Sequence, residues 1–383
     1  MGRNVVRSCL RGSLLKGEKL LKHCDSVRVA GALGLFASIA SAGCSTTVAP
    51  TDGGIDASSD AQVAGDAPIA VDAPVTGDAG GASALLLGMT LHLENKTFDK
   101  TYFTSLDTFA KTFESHGGRL TFEPRDSCVS AAAGPPALFD WKALEARGHS
   151  VGSHAAIGGV DVTTVQQFTA QAKMRYEQLS PSVNRLDHIS GNCGNVDWVK
   201  GVTEAGFTAT TAATVLCFYG MPADSRPAEY KNLSCKGSTD PVCHTSYPIE
   251  LAQRLHPWRV ASSATWLTDD KNGKLVIIPG SGTLPCLEEE ATNPGTTLPT
   301  CSLTKEDVTR AMAELDAAIA LRDPNKLNTF YWVWGSWSIS SQEQAILDSF
   351  LSEVDKRVAK GQIKWSSIGS MLDAYAEWEK THR

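Results

Sequence analysis

The sequence lacks three features, and each absence argues against a class of protein. After the first fifty residues, no apolar run reaches the roughly 20 residues that a membrane-spanning helix needs. The net charge is -7 with interspersed signs, so there is no basic stripe to bind nucleic acid. No two cysteines have the Cys-x-x-Cys spacing of a structural zinc site. We therefore expect a globular protein without a nucleic-acid partner.

The first 43 residues have the pattern of an export signal peptide. Seven basic residues precede a short apolar stretch, residues 29–42, which ends in small side chains. The junction Ala42-Gly43-Cys44-Ser45 resembles the lipobox of bacterial lipoproteins, in which the cysteine is acylated. This resemblance implies a lipid anchor at Cys44 and a location in the cell envelope or outside the cell. Ordinary cleavage near Ala42 is the alternative.

Residues 44–83 differ in composition from the rest of the chain. They are dominated by alanine, aspartate, glycine, proline, serine, threonine and valine, and they contain no aromatic residue. Such a segment cannot bury enough apolar surface to offset the entropy lost on ordering. We expect a flexible acidic tether that leads to one domain, residues 84–383.

Seven of the ten cysteines lie after residue 84, which fits disulfides formed in an oxidising compartment. Cys235 with Cys243, and Cys286 with Cys301, would each close a short loop rich in proline, glycine and threonine. These are the preferred pairs. Because seven is odd, one thiol stays free or pairs outside the domain.

From residue 84 onwards, apolar strand patterns alternate with amphipathic helix patterns. This rhythm predicts a parallel sheet covered by helices. About seven such units suit an irregular (β/α) barrel, and an open doubly wound sheet is the rival; in both, the functional surface lies at the C-terminal ends of the strands. Residues 217–262 interrupt the rhythm and predict a disulfide-pinned insertion. The predicted strands are 84–93, 119–122, 149–154, 188–191, 207–215, 275–279, 329–334 and 363–365.

The stretch from Phe139 to His154 is the most specific, because it combines a helix, Arg-Gly-His, a small apolar strand and Ser-His. It resembles a signature of the polysaccharide-deacetylase (NodB-type) family of carbohydrate esterases, in which the last histidine is a metal ligand. Residues 197–207 and 361–371 are similar to later helices and the final strand of that family. The resemblance covers residues 84–383 and implies a NodB-like barrel that hydrolyses acetylated glycans with a divalent metal.

Several motif positions of that family are changed in this sequence. Glu94 stands where the family has its basic aspartate, and Asn95 where it has a liganding one. Gly158 replaces the second metal-binding histidine. The family's Arg-x-Pro motif is replaced by Ser-Gly-Asn-Cys at residues 190–193, and the late strand carries tryptophans in place of a catalytic histidine.

A metal site can nevertheless be assembled from neighbouring positions. His92 and Glu94 are two apart at the end of a strand, so their side chains share a face. His154 ends another strand that is expected nearby. We predict that His92 and His154 bind a divalent metal, zinc or else cobalt or nickel, and that Glu94 is either the general base or a third ligand. His188 is a further candidate ligand.

Tryptophans near the predicted site suggest a wall for sugar binding. Trp258 and Arg259 could stack on a pyranose and bind its hydroxyls, although a loop anchored by a buried tryptophan is an equal alternative. Trp334 and Trp337 are predicted to line the same cleft.

Together these features predict an exported, monomeric, metal-dependent hydrolase that removes acetyl groups from a polysaccharide or other glycan through amide or ester cleavage. A catalytically degenerate NodB-like protein that binds carbohydrate, or an envelope scaffold that binds partners through residues 217–262, is the alternative.

Overall fold

The computed structural model describes residues 83–159, 161–235, 240–296, 301–335 and 337–383. The predicted signal peptide, nearly all of the predicted tether and the lipidation site Cys44 lie outside these residues. Predictions about those segments therefore stay predictions.

The described residues contain ten strands and eleven α-helices. The strands are β1 Leu85–Leu93, β2 Thr121–Pro124, β3 Ser150–Val151, β4 Ser153–His154, β5 His188–Ser190, β6 Ala209–Thr210, β7 Trp258–Val260, β8 Leu275–Ile277, β9 Thr329–Trp334 and β10 Ile363–Trp365. The helices are α1 Lys100–Ser115, α2 Asp126–Ala132, α3 Trp141–Ala146, α4 Val165–Leu179, α5 Trp198–Ala205, α6 Pro241–His244, α7 Ile249–Ala252, α8 Leu287–Thr292, α9 Lys305–Leu321, α10 Ser341–Val358 and α11 Ile368–His382. Short 3₁₀ helices occupy Ser180–Ser182, Val215–Gly220, Ala223–Ser225, Ala228–Tyr230, Ser263–Thr265 and Leu284–Cys286.

The strands form two five-stranded sheets in which nearly all pairs are parallel. In the first sheet, β1 pairs with β9, with β2 at its C-terminal end and with β10 at its N-terminal end, and β2 also pairs with β3. The second sheet has the order β4-β5-β6-β8-β7, and only β7 runs antiparallel to its neighbour. The mixed α/β class with parallel strands is therefore confirmed. The described strands number ten instead of about seven.

One predicted strand, residues 149–154, is divided between the two sheets at Gly152. The main-chain N–H of Gly152 donates to the Phe122 carbonyl at 2.8 Å, which keeps this segment beside β2. A Cβ at Gly152 would lie 2.2 Å from the His188 ring, so only glycine fits at this close approach. The division brings the C-terminal ends of β2 and β4 to neighbouring positions.

Apolar residues cover both faces of the central strands, as expected for a parallel sheet under helices. Every residue of β9 is buried, and so is every residue of β1 except Leu86. Helix α1 packs against this layer through a stripe of buried residues at helical spacing: Phe103, Leu106, Phe109, Ala110 and Phe113. Helices α9 and α10 each begin with a capping box, at Thr304 with Asp307 and at Ser340 with Glu343.

Three disulfides lie in the described part of the chain. The predicted pairs Cys235–Cys243 and Cys286–Cys301 are confirmed, and Cys193 pairs with Cys217. Cys128, a buried residue of α2, is the free cysteine among the described residues. Disulfides indicate an oxidising, non-cytoplasmic environment.

Among the helices that the structure describes, none is both long and apolar enough to cross a membrane.

Candidate metal centre

Polar side chains gather at the C-terminal ends of neighbouring parallel strands. His92 lies near the end of β1, and its register partner on β2 is Glu123. His154 ends β4, and its register partner on β5 is Ser190. Within each sheet, the C-terminal ends of parallel strands lie at one edge. The hydrogen bond from Gly152 to the Phe122 carbonyl keeps β4 beside β2, so four separate stretches of sequence bring their side chains to the same place.

Two histidines and one glutamate form the centre of this group. The Nε2 atom of His92 lies 3.1 Å from Oε2 of Glu123, and the His92 and His154 rings stack with their centroids 4.1 Å apart. One potential ligand atom from each of the three residues lies within 4.8 Å of the others, and all three residues are buried. Two imidazoles and a carboxylate suit zinc and similar divalent cations, so this donor set fits the metal predicted from the sequence.

The hydroxyl of Ser190 contacts all three of these residues. Its hydroxyl donates to Glu123 through a short hydrogen bond. Since the only hydroxyl hydrogen is used there, the 2.8 Å contact with His154 places the ring proton on Nδ1, which donates to Ser190. The Nε2 atom of His154 then carries a lone pair. Outer hydrogen bonds of this kind fix the tautomer and ring orientation of metal-binding histidines.

Glu94 lies beside the lone pair of His154. Its Oε2 atom is 3.4 Å from His154 Nε2 and 3.8 Å from the Arg125 guanidinium. Although burial alone would raise the pKa of Glu94, the nearby His154, His92 and His244 lower it well below the usual range. Glu94 is therefore a carboxylate at neutral pH. Because His154 Nε2 and Glu94 Oε2 both present lone pairs, they attract each other only when a proton or a cation lies between them.

Glu123 is also held in its charged form, although it has no solvent exposure. Burial would raise its pKa, but hydrogen bonds and charge from His92, with smaller effects of His188 and Ser190, lower the pKa to about 2. Thr211 adds a hydrogen bond of 2.6 Å to Oε1. A buried carboxylate with this many partners keeps the geometry it needs to bind a cation.

His188 lies behind this group. Its Nε2 atom is 3.8 Å from Oε1 of Glu123, on the carboxylate oxygen that does not face His92. Burial lowers the pKa of His188 and favours the neutral ring. The structure therefore places His188 next to a candidate ligand, outside the group of His92, Glu123 and His154.

The group opens into a cavity of about 270 Å³. His92, Glu94 and His154 form one part of its wall. His244 and Tyr247, from the predicted insertion, form another part. Burial lowers the pKa of His244, so this ring is neutral at pH 7. The cavity therefore contains the carboxylate of Glu94, the neutral ring of His244 and the cation of Arg125 within one small space.

The predicted trio of His92, Glu94 and His154 is brought together. The predicted sugar-binding residues lie elsewhere, because none of them lines this cavity. Trp258 is buried and donates to the Trp266 carbonyl at 2.7 Å, and Arg259 pairs with Glu379 at the same distance.

Trp334 and Trp337 likewise point into the core. Both are at most 2% exposed, and both rings pack edge-on against Phe109. The main-chain N–H of Trp337 does reach the site, since it donates to the His92 carbonyl at 3.1 Å. The segment after β9 therefore supports His92 through its backbone, while the indoles fill the interior.

The residues of the site that were not predicted from the sequence include Glu123, Ser190 and His244. A glutamate between Phe122 and Pro124, at the end of a strand, was a usable signal for the first. Ser190 stands next to Gly191, which takes a left-handed φ of 63° where β5 ends. His244 comes directly after a disulfide cysteine in a short helix.

Comparison with protein-family models and with curated proteins gives no match.

Proposed function

We propose that this protein is an exported, metal-dependent hydrolase that removes acetyl groups from a glycan by amide or ester cleavage. One observation carries the proposal. The ionised carboxylate of Glu94 faces a cavity beside the buried group of His92, Glu123 and His154. A base next to a cation site is what the hydrolysis of an unreactive acyl group requires.

The site contains two carboxylates, Glu123 and Glu94. One can therefore bind the metal while the other acts as the general base. Glu123 is buried and in contact with His92, so it would hold the metal together with His92 and His154. Glu94 lines the cavity and is partly exposed, so it would act as the general base. When bound, a divalent cation would polarise the acyl carbonyl and lower the pKa of a water molecule.

The other side chains position and transfer protons. Glu94 accepts the proton of the attacking water and can return it to the leaving amine or alcohol. Arg125, 3.8 Å from Glu94, orients this carboxylate. Ser190 and Thr211 hold Glu123 in place through their hydroxyl groups. The neutral His244 lines the same cavity, where it can contact the departing group.

The finer description of the fold is part of the same proposal. We infer that the two sheets belong to one irregular (β/α) barrel of the NodB type. Hydrogen bonds from Ser281 to the Tyr331 carbonyl (2.8 Å) and from Val333 to the Gly282 carbonyl (3.1 Å) support it, because they link the segment after β8 to β9. A lipid anchor at Cys44 and a monomeric state complete the proposal.

The test uses full-length protein that is stripped with a chelator and reloaded with zinc, cobalt or nickel. We expect one metal ion per chain and hydrolysis of N-acetylated or O-acetylated sugars. His154→Ala should lose both metal and activity, and Glu123→Gln should lose metal. Glu94→Gln should keep the metal and lose about 100-fold or more in kcat, the usual contribution of a general base.

His382→Ala is the matched control, because this histidine is exposed on the last helix, far along the chain from the site. It should change neither metal content nor activity. Unchanged metal content and activity in His154→Ala would contradict the assignment.

The binding-protein alternative depended on a tryptophan-lined groove. Trp258, Trp334 and Trp337 are each at most 2% exposed, so their ring faces are covered by protein atoms. Glycan binding without metal would nevertheless favour that alternative. Capture of protein partners through residues 217–262, with neither metal nor sugar bound, would favour a scaffold.

A further inference from the structure

Arg125 is the only lysine or arginine among the described residues that line the cavity. Its main chain is fixed where β2 ends, because its N–H donates to the Leu93 carbonyl and its own carbonyl accepts from the N–H of Val129 in α2. The side chain that extends from this anchored backbone is 38% exposed. A cation with a fixed backbone position therefore borders the cavity and stays accessible to a ligand.

The guanidinium of Arg125 keeps donors free in the described part of the structure. Its ion pair joins Nη1 to Oε2 of Glu94 at 3.8 Å, which is longer than a hydrogen bond. The carboxylate of the next residue, Asp126, is instead paired with Arg175 at 2.6 Å. Since a guanidinium carries five N–H donors, the edge formed by Nε and Nη2 is available to a ligand.

The charges of the metal-loaded site leave one positive charge unbalanced. Histidines bind a metal in their neutral form, so the two positive charges of a divalent cation would be offset by Glu123 and Glu94 alone. Transfer of a proton from water to Glu94 does not change this total. The cation of Arg125 then has no opposite charge left among the described lining residues. A ligand with a single negative charge would make the site neutral.

A carboxylate suits this guanidinium better than a phosphate. Guanidinium and carboxylate groups are both planar, and they pair through two parallel N–H···O bonds. A phosphate group carries about 1.5 to 2 negative charges at pH 7, which exceeds the single charge that the site leaves unbalanced. Sugars carry a carboxylate either on the ring, as in a uronic acid, or on a carboxyalkyl ether of a hydroxyl group.

We propose that Arg125 makes the enzyme selective for acylated sugars that carry a carboxylate, which pairs with the free edge of the guanidinium while the acyl group lies at the metal centre. This inference deepens the proposed hydrolase function and rests on it. Uronic acids and carboxyalkyl ethers share the recognised chemistry, and substrates of both kinds distinguish them.

The experiment compares each acid with its primary amide, which has nearly the same shape and no charge. The acids are an N-acetylated aminouronic acid and an N-acetylated amino sugar with a carboxymethyl ether, and acetate release is measured with zinc-loaded full-length protein. We expect kcat/KM for at least one acid to be about 10- to 100-fold higher than for its amide, the effect of a hydrogen bond between charged groups. The acid that shows this preference identifies the source of the carboxylate.

Substitutions of Arg125 separate substrate recognition from the orientation of Glu94. Arg125→Gln should abolish the preference, mainly through a higher KM for the acid. Any loss with the amide measures the effect on Glu94, because that effect is common to both substrates. Arg125→Lys should keep part of the preference, since it retains the charge and loses the bidentate geometry.

Arg310→Gln is the matched control for these variants. Its guanidinium is 37% exposed, pairs with Glu288 and lies outside the described lining of the cavity. The preference for the acid should therefore be the same as in the wild type.

Equal kcat/KM for both acids and their amides in the wild type, or a preference that survives in Arg125→Gln, would overturn this inference and leave the proposed function intact. The absence of hydrolysis with every substrate would count against the proposed function. In that case, calorimetric binding to the full-length protein with zinc added decides. The inference requires one acid to bind about tenfold more tightly than its amide and to lose this advantage in Arg125→Gln. Equal binding, or none, would overturn it.

Discussion

Ser190 is the residue whose hydroxyl holds the centre together without being a candidate ligand. It contacts His154 at 2.8 Å and donates to Glu123. Removing such an outer hydrogen bond usually costs about 10- to 100-fold in metal affinity. We therefore expect Ser190→Ala to weaken zinc binding by that factor, measured by competition with a chromophoric chelator. Ser153→Ala is the control, because this buried serine on β4 alternates with His154 and faces away from it.

An unchanged zinc affinity in Ser190→Ala would mean that the ring of His154 is oriented by packing alone. An equal loss of zinc affinity in Ser153→Ala would indicate that both variants destabilise the fold, and that the hydrogen bond of Ser190 has no specific effect on the metal.

His244 is the only histidine of residues 217–262 among the described residues that line the cavity. It lies outside the group of His92, Glu123 and His154, so it can contact the substrate without holding the metal. We expect His244→Asn to lower kcat/KM by about tenfold, as for the loss of one hydrogen bond to the substrate, while zinc affinity stays unchanged. His256→Asn is the control, since that ring is bonded to the Leu327 carbonyl outside the cavity. A parallel loss of zinc would identify His244 as a ligand.

The sequence could predict His92, Glu94 and His154 because strand alternation and strand ends are local properties. It could not predict the role of Glu123 from that pattern, since the predicted strand ended at Phe122. Pairing with β1 extends β2 by two residues and sets Glu123 opposite His92. The position of His244 depends on the disulfide that fixes its helix, and a disulfide of this kind leaves no periodic pattern in the sequence.

At the scale of elements, helices α8 and α9 bring two largely buried carboxylates together. Burial, and then the charges of Glu314 and Glu289, raise the pKa of Glu290 from 4.5 to about 8. Between these values the folded protein keeps a proton that the unfolded chain releases, so stability falls as the pH rises. The wild type should lose about 1 kcal/mol of unfolding free energy for each pH unit between 5 and 8, and Glu290→Gln should not show this loss.

Urea unfolding at pH 5 and pH 8 measures this effect. The two proteins should be similar at pH 5, and Glu290→Gln should be the more stable at pH 8. Glu306→Gln, an exposed position in the first turn of α9, should lower stability slightly at both values and leave the slope unchanged. Parallel pH profiles for the wild type and Glu290→Gln would show that Glu290 is already ionised in the folded protein.

The strands differ in how well the sequence could predict them, for a physical reason. β9 lies where it was expected because a continuous apolar run is buried on both faces. The predicted strand 207–215 shrinks to Ala209–Thr210, because Ala212 takes a left-handed φ of 49° and the chain turns into a 3₁₀ helix. The hydrogen bond from Ala212 N–H to the Tyr331 hydroxyl, at 2.5 Å, and the bond between Cys193 and Cys217 hold that turn, and both partners are distant in sequence.

At the scale of the whole molecule, the three disulfides of the described residues connect positions separated by 24, 8 and 15 residues. Two of these pairs were predictable because each closes a short polar loop. The third was not, because Cys193 and Cys217 meet only once β5 and the segment after β6 are in place. The free-energy contribution of each link depends on the length of unfolded chain that it restrains.

The chain-entropy relation gives about 3.5 kcal/mol for the longest link and about 2.5 kcal/mol for the shortest. We therefore expect Cys193→Ser with Cys217→Ser to lower the free energy of unfolding by about 1 kcal/mol more than Cys235→Ser with Cys243→Ser. Cys193 and Cys217 are both buried, whereas Cys235 is partly exposed, so serine costs more in the first pair and widens the gap. Urea unfolding of both variants measures it, with Cys128→Ser as a thiol control. A larger loss from the eight-residue link would show that its main effect is on the folded wall of the cavity, where His244 lies, and that unfolded-chain entropy is secondary.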